Sequence, residues 1–335
     1  MNRQVLLAKR PPPGPFLPET FEVAETEIAE PADGEFRVRT DYVSLDPAMR
    51  GWVNDGKSYV PPVGIGEVMR AFASGTIEAS RHPEYNEGDT VQGLFGVQTH
   101  AISNGERVVK VDTSQAPLER WVGGLGMPGW TAYFGLLEVG QPKAGDTVVV
   151  SAASGAVGSV VGQIAKIKGC RVVGIAGGPE KCGYLTDTLG FDAAVDYKSG
   201  DIADALRAAC PDGIDVNFEN VGGPIFDAVL GQMNTFGRVA LCGLISAYTA
   251  TEPQPPLANL RVILTQRLRV RGLIVFDWAD RIGEAITELG AWHADGRLII
   301  REDVRTGGVD AFTETANLLF SGGNQGKLVL AMDTE

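Results

Sequence analysis

The glycine-rich run at residues 151–158, SAASGAVG, has the spacing most readily tied to chemistry. It follows an apolar run at 147–151, which predicts a buried strand, and it precedes apolar residues at helical spacing. Glycines in such a strand–turn–helix unit let the backbone approach a pyrophosphate, and the helix N-terminus offers N–H groups to it. Gly155 is expected to allow that approach and Gly158 to allow close packing of helix on sheet. Ala153 stands in place of the first glycine of the strict GxGxxG pattern, and the alternative is a tight turn without a ligand.

The residues after the next predicted strand, 171–176, indicate which dinucleotide binds. An NAD site usually carries Asp or Glu about 20 residues after the first glycine, on the ribose 2′-hydroxyl. Here Gly177-Gly178 follow the strand and Lys181 comes soon after, which favours a 2′-phosphate and therefore NADP(H). Tyr197 could cover the phosphate or the adenine edge. Taken singly, Lys181 could be a solvated helix charge and Tyr197 a packed aromatic residue.

These residues need a parallel sheet to position them. The predicted strands are 147–151, 171–176, 193–196, 214–218, 238–242 and 269–276, and the predicted helices are 156–168, 179–189 and 280–293. Alternation of strands and helices predicts an α/β fold with a doubly wound parallel sheet.

The first 120 residues differ, because Pro and Gly separate short β-rich runs such as 36–40 and 90–95. The chain becomes β-like again after Gly296 and ends in an apolar run at 327–332. That tail is too short for a domain. We therefore predict a β-rich substrate domain from 1–125 with 297–335, and a dinucleotide-binding domain over 126–296.

Composition excludes several classes of partner. The 335 residues include 29 Lys plus Arg and 42 Asp plus Glu, a net charge of −13, which disfavours nucleic acid and anionic membranes. The 4 cysteines form no CxxC pair and are expected to be reduced thiols. The N-terminal residues do not resemble a signal peptide, and no apolar run has the length of a membrane span. We expect a cytoplasmic protein.

Motifs over nearly the whole chain resemble a known family. They are SLDPAMRG at 44–51, SYVPPVGIGEVMRA at 58–71, GMPGWTAYFGLLEVG at 126–140, VVVSAASGAVGSVVGQIAKIKG at 148–169, ENVGG at 219–223 and GNQGKLV at 323–329. The chain resembles the zinc-independent medium-chain dehydrogenases/reductases, in the leukotriene B4 dehydrogenase/prostaglandin reductase branch. Within that branch it is similar to bacterial NADP-dependent enone reductases of the curcumin-reductase type. The resemblance implies a Rossmann domain, a GroES-like catalytic domain that the C-terminal tail completes, and a homodimer.

The resemblance also implies a set of cofactor contacts. The implied NADP(H) residues are Thr131, Gly155, Ala156, Val157, Gly158, Lys181, Tyr197, Asn220, Cys242, Gly243, Leu244, Ile245, Ser246, Tyr248, Gly272, Leu273, Ile274, Val275 and Asn324. Two of them have simple alternatives, because Asn220 could be a turn residue and Asn324 could cap the turn of its glycine-rich loop.

The activity implied by the resemblance is reduction of the C=C bond of an α,β-unsaturated ketone or aldehyde. Negative charge then develops on the carbonyl oxygen, and hydrogen-bond donors must meet it. The α-carbon then takes a proton, from solvent or from a hydroxyl. The candidates are the cofactor's ribose 2′-hydroxyl, Tyr59 and Tyr248. Relatives carry aromatic residues where this chain has Ala48 and Thr265, which makes Tyr59 the leading candidate.

Apolar side chains are expected to hold such a substrate. Met49, Trp52 and Met127 could line a pocket for a small hydrophobic enone or enal, or they could be ordinary core residues.

No metal is expected. Zinc-dependent relatives need Cys and His ligands in the N-terminal domain, but the first cysteine is Cys170, and Ile65-Gly66-Glu67 replaces their Gly-His-Glu run. Two other functions stay open, namely a secondary-alcohol dehydrogenase for a hydroxy-lipid-like substrate and an NADPH-binding protein without turnover.

Overall fold

The computed structural model describes residues 1–333, and the last two residues of the predicted tail lie outside it. Two units divide the chain. One holds Met1–Gly126 and the chain from Glu302 onward, and the other holds Met127–Arg301. Within residues 1–333, no helix has the length and apolar character needed to cross a membrane.

The regular elements are numbered along the chain. The strands are β1 Asn2–Leu7, β2 Phe21–Thr26, β3 Phe36–Ser44, β4 Ala73–Ser80, β5 Thr90–Gly93, β6 His100–Ser103, β7 Val109–Lys110, β8 Thr147–Val150, β9 Arg171–Ala176, β10 Ala193–Asp196, β11 Ile214–Glu219, β12 Met233–Leu241, β13 Arg269–Gly272, β14 Glu302–Arg305 and β15 Lys327–Ala331. The α-helices are α1 Met49–Trp52, α2 Met127–Phe134, α3 Ala156–Ile167, α4 Pro179–Gly183, α5 Ile202–Ala209, α6 Gly223–Leu230, α7 Ile245–Tyr248, α8 Arg261–Thr265, α9 Ile282–Ala294 and α10 Phe312–Ser321. Short 3-10 helices cover Pro18–Thr20, Leu118–Val122, Val275–Arg281 and Gly308–Ala311, and π-helical turns cover Gly135–Gly140 and Tyr184–Thr188.

The unit Met127–Arg301 is built on a parallel sheet with the strand order β10-β9-β8-β11-β12-β13. All its strand pairs are parallel. Apolar β-branched residues such as Val149, Val173 and Val239 fill one side of its core. The chain leaves β8 in one direction and returns at β11 on the other side, which creates a switch point at the carboxyl ends of these two strands. The predicted doubly wound Rossmann fold is confirmed.

One predicted strand of this sheet is wrong in its second half. The run 269–276 forms a strand only over Arg269–Gly272, and Val275–Arg281 is a 3-10 helix. Val275 and Trp278 are buried, and the Trp278 ring stacks on Phe134 with centroids 5.6 Å apart. Trp278 therefore packs against α2, and burial of two residues three apart favours a tight turn over a continued strand, which the apolar run alone did not show.

The other unit is a mixed sheet in the order β14-β15-β3-β4-β5-β7, with β6 also paired to β3, beside the β1-β2 hairpin. Strand β15 pairs antiparallel with β3, placing Val329 opposite Ser44 and Ala331 opposite Tyr42. The C-terminal tail thus completes the β-rich N-terminal unit, as predicted.

The chain before that tail contains a helix where the sequence suggested only β-structure. Helix α10 buries Phe312, Thr315 and Ala316 on one face, and Phe312 meets the Phe21 ring edge-on at 5.1 Å. It ends at Gly322, whose φ of +70° is the left-handed conformation that glycine adopts without strain.

Candidate functional site

The glycine-rich loop leaves β8 and enters α3 through a tight turn. The Ser151 amide donates to Phe218 O at 3.1 Å, and the Ala153 amide donates to Ile175 O at 3.0 Å, which anchors the turn on both neighbouring strands. A Cβ on residue 158 would lie 2.5 Å from the Ala152 carbonyl oxygen, so only glycine fits there. Gly155 caps α3 and has no side chain to cover the N–H groups of the first turn. The turn therefore presents bare amides at a positive helix end, as an anionic pyrophosphate requires.

Glu219, at the end of β11, ties this loop to the loop after its own strand. Its Oε1 accepts from Ser151 Oγ at 2.9 Å, Val221 N at 2.8 Å and Gly222 N at 2.7 Å. Its Oε2 accepts from Asn217 Nδ2 at 3.0 Å. One carboxylate thus holds both sides of the switch point, and we call Glu219 with these partners the Glu219 cluster.

Burial dominates the electrostatics of this cluster. Glu219 is 0% exposed, and loss of solvation raises its pKa, while the hydrogen bonds from Asn217, Gly222, Val221 and Ser151 oppose the rise. Asn220 is held by Ser151 of the same cluster. Its backbone N–H donates to Ser151 Oγ at 2.8 Å, and its side-chain Nδ2 donates to Ser151 O at 2.7 Å. Asn220 therefore sits beside the phosphate loop, where the resemblance put a cofactor contact.

The loops after β12 and β13 adjoin the same edge. Residues 242–248 are held by the β11 loop, with Ile245 N donating to Asn220 O at 3.1 Å and Ser246 Oγ donating to Val221 O at 2.6 Å. The Leu244 amide donates to the Tyr248 hydroxyl at 3.3 Å, and burial raises the pKa of Tyr248, which keeps its proton. Burial raises the pKa of the Cys242 thiol to about 12, so this residue is a neutral group rather than a nucleophile.

Residues 272–275 continue this edge beyond β13. Gly272 has open space where a Cβ would stand, whereas Leu273 and Val275 are each 6% exposed and pack inward.

The loop after β9 is the glycine pair Gly177-Gly178, which has no carboxylate side chain of its own. A Cβ on Gly177 would lie 2.9 Å from Tyr197 Cε1, so glycine lets the tyrosine ring lie against the backbone. Gly178 precedes α4 with a φ of +91°, and Lys181 lies within that short helix, half-buried. Tyr197, 43% exposed, follows β10. A glycine pair followed by a lysine, with a partly exposed tyrosine ring against the backbone, is a set of groups that suits a 2′-phosphate.

All of these loops follow carboxyl ends of strands in one parallel sheet. This edge is where open α/β sheets bind their ligands, and the glycine positions leave the space that a dinucleotide backbone needs. The described residues therefore fit a dinucleotide phosphate. Thr131 is separate from these loops, in α2, where its hydroxyl donates to Met127 O at 2.8 Å.

The predicted residues Met49, Trp52, Tyr59 and Asn324 lie in the β-rich unit, whereas Met127 begins α2 of the other unit. The Trp52 indole N–H donates to the Tyr59 hydroxyl at 2.8 Å, and Tyr59 is 48% exposed. Met49 and Trp52, 1% and 4% exposed, belong to the core of this unit, and their contact with substrate stays a prediction. Asn324 donates from Nδ2 to Gly326 O at 2.8 Å and so caps its own turn.

Within the described part of the chain, no group of three or more His, Cys, Asp or Glu side chains is arranged to hold a metal ion.

Comparison with known proteins identifies the family. Residues 3–111 match the family described as the N-terminal domain of oxidoreductase, and residues 156–291 match the family described as zinc-binding dehydrogenase. The NADPH-dependent curcumin reductase of Escherichia coli strain K12 is 47% identical over 98% of this chain and 96% of its own. Prostaglandin reductase 1 of Mus musculus is 41% identical over 92% of this chain and 93% of its own.

The chain belongs to the zinc-independent medium-chain dehydrogenase/reductase family, in the prostaglandin reductase branch. Solved structures of this family agree. CurA from Vibrio vulnificus has a TM-score of 0.93 and 45% identity, covering 100% of this chain and 99% of its own. CurA from the same organism in complex with NADPH also has a TM-score of 0.93, with 44% identity, 99% coverage of this chain and 100% of its own.

Reasoning from sequence did not single out two residues that hold these loops together, Glu219 and Ser151. Glu219 was visible only as the first letter of ENVGG, and nothing in a linear sequence shows four donors around one carboxylate. Ser151 is the last residue of a predicted strand and the first of the glycine-rich run, and neither position shows that its hydroxyl donates to Glu219.

Proposed function

We propose that this protein is an NADPH-dependent reductase of the C=C bond of α,β-unsaturated ketones and aldehydes. The observation that carries the proposal is 47% identity, over 98% of the chain, to an NADPH-dependent curcumin reductase. The glycine-rich loop and the Glu219 cluster support it, because they provide the pyrophosphate cradle that such an enzyme needs. Lys181 and the carboxylate-free Gly177-Gly178 loop support NADP(H) over NAD(H).

The cofactor supplies a hydride when bound, and the protein supplies position and charge stabilisation. We propose that Gly155 to Gly158 hold the pyrophosphate, that Asn220 and residues 242–248 bind the nicotinamide half, and that residues 272–275, Thr131 and Asn324 complete the binding set. Lys181 and Tyr197 would bind the adenosine end.

The Tyr59 hydroxyl would stabilise the negative charge that develops on the substrate carbonyl. Its oxygen accepts from Trp52 Nε1, and a hydroxyl that accepts one hydrogen bond becomes a better donor through its own proton. Its 48% exposure leaves it accessible. Tyr248, kept protonated by burial, is the second candidate proton donor. Met127 is half-buried, and its thioether is a proposed contact of an apolar substrate. Met49 and Trp52 are the other proposed substrate contacts.

The decisive experiment measures NADPH absorbance with 4-phenyl-3-buten-2-one, with its saturated analogue 4-phenyl-2-butanone as matched control, and without substrate. We expect NADPH oxidation only in the reaction that contains the enone, and we expect the saturated ketone as its product. Oxidation of a secondary alcohol by NADP+, without enone reduction, would instead assign the alcohol dehydrogenase function. Tight NADPH binding without turnover on any substrate would assign a non-catalytic binding protein.

We further propose a homodimer in the cytoplasm. Strand β13 forms an edge of the parallel sheet, its four residues are exposed, and Leu264 nearby is 76% exposed. An exposed edge with apolar neighbours suits pairing with a second copy. Light scattering should give the mass of a dimer, and Leu264→Glu should shift the measured mass toward that of the monomer.

The 4 free thiols suit a reducing compartment, which supports the proposed cytoplasmic location.

A further inference from the structure

The loop after β10 carries a cation that lies against the loop after β9. Lys198 follows Tyr197, and its ammonium nitrogen is 5.8 Å from the centroid of the Tyr197 ring. Its Cε lies 2.9 Å from the position that a Cβ on Gly177 would occupy. The stem of Lys198 and the ring of Tyr197 therefore both cross the backbone of Gly177, which leaves space for them because it has no side chain.

A carboxylate fixes the two loops to each other. Asp196 Oδ1 accepts from Gly178 N at 2.8 Å and from Lys198 N at 2.9 Å. These two bonds lower the pKa of Asp196, so the carboxyl is ionised at neutral pH. The backbone of Lys198 is thus pinned beside Gly178, while its side chain stays exposed to solvent.

We propose that Lys198 is a second cation that binds the 2′-phosphate of NADP(H), together with Lys181. The inference rests on the proposed function, because it presupposes that NADP(H) is the ligand at this edge. Lys181 comes from α4 and Lys198 from the opposite loop, so the two would approach the phosphate from different elements. Asp196 and Glu180 bring negative charge to these two loops, and a second cation at Lys198 would offset the repulsion that they exert on a phosphate.

The test measures binding of adenosine 2′,5′-bisphosphate and adenosine 5′-monophosphate by calorimetry, since these probes differ only in the 2′-phosphate. Lys198→Met keeps an unbranched side chain only one atom shorter and removes the charge, and Lys198→Arg keeps a cation at this position. Lys168→Met is the matched control, because Lys168 is also an exposed lysine over an aromatic ring, 5.4 Å from the Trp292 centroid, but lies at the C-terminal end of α3.

We expect the wild type to bind the bisphosphate more tightly than the monophosphate. Lys198→Met should reduce that preference by about five- to tenfold, the range for one solvent-exposed charge-assisted contact to phosphate. The monophosphate Kd should not change. Lys198→Arg should recover most of the preference, and Lys168→Met should leave both Kd values as in the wild type.

Two results would overturn the inference. An unchanged preference in Lys198→Met would remove Lys198 from the phosphate site and leave the proposed cofactor intact. Equal weakening of both probes would assign Lys198 to support of the loop rather than to the phosphate. A wild type without preference for the bisphosphate is a different failure, since it would contradict NADP(H) as cofactor and with it the proposed function.

Discussion

Replacement of Glu219 separates the role of its shape from the role of its charge. Glu219→Ala removes the acceptor of four hydrogen bonds, from Ser151, Val221, Gly222 and Asn217. Glu219→Gln keeps the shape of the side chain. It also keeps one oxygen that can accept from the three groups that donate to Oε1 in the wild type, Ser151 Oγ, Val221 N and Gly222 N. Its new amide would face Asn217, whose Oδ1 is buried without a partner among the described residues. A flip of the Asn217 amide would let Oδ1 accept from the introduced glutamine.

The magnitudes follow from this count of donors. In Glu219→Ala the Ser151 hydroxyl can rotate to another acceptor, but the amides of Val221 and Gly222 and the Asn217 side chain stay buried and unpaired. At about 1 kcal/mol or more for each, the loss of unfolding free energy is about 3 kcal/mol, to which the cavity adds about 1 kcal/mol. In Glu219→Gln the bonds are conserved and a buried charge is removed, so the change should stay within about 1 kcal/mol.

The direction in which the free energy of unfolding changes with pH follows from the raised pKa of Glu219. Burial raises the pKa of Glu219 in the folded state, so its contribution to stability is present below the unfolded pKa and lost as pH rises through the folded pKa. Glutamine has no such loss. Glu219→Gln should therefore gain stability relative to the wild type as pH rises above the unfolded pKa of the glutamate.

Urea unfolding followed by tryptophan fluorescence gives the stabilities, and calorimetry gives the NADPH Kd. Glu219→Ala should weaken NADPH binding on the order of tenfold or more, because the loops bearing Ser151 and Asn220 lose their shared anchor. Glu219→Gln should keep binding within about threefold. A Gln variant as destabilised as the Ala variant would refute the reasoning, since the charge rather than the hydrogen-bond pattern would then hold the loops.

Three further predictions concern the β-rich unit and the absence of metal. Burial raises the pKa of Glu302 to about 7, with Arg120 opposing it, so the stability from this carboxyl is present below about pH 4.5 and lost as pH rises through 7. Unfolding curves between pH 5 and 8 should show the wild type losing up to about 3 kcal/mol relative to Glu302→Gln, and parallel curves would contradict this. Tyr59→Phe should lower kcat for the enone between about tenfold and a hundredfold and leave the NADPH Kd unchanged, whereas wild-type turnover would return Tyr59 to a packing role. Chelators should leave activity intact and elemental analysis should find no stoichiometric zinc, while one tightly held zinc per chain would overturn the metal-free mechanism.

Local patterns in the sequence were sufficient for the architecture of the parallel sheet. Strands 171–176 and 193–196 form with the predicted bounds, because short apolar runs between turn residues are typical of buried parallel strands. The return of the tail was also predicted, since 327–332 could not form a domain alone. The helix over Phe312–Ser321 was not, because its apolar residues matter only once Phe21 and the β-rich core are in place.

The candidate cofactor site also combines features that the local sequence predicts with features that only tertiary contacts create. The run SAASGAVG predicts a phosphate-binding turn, because such a turn depends on local backbone freedom. The absence of a carboxylate at Gly177-Gly178 predicts a preference for NADP(H), because that preference depends on local charge. The Glu219 cluster and the position of Lys198 over Gly177 depend instead on which strands become neighbours. Residues 151 and 219 are distant in the chain and meet only because β8 and β11 pair in the sheet. That strand pairing sets the hydrogen-bond partners of the buried groups. Only the tertiary structure therefore decides that the Glu219 cluster anchors the predicted cofactor loops.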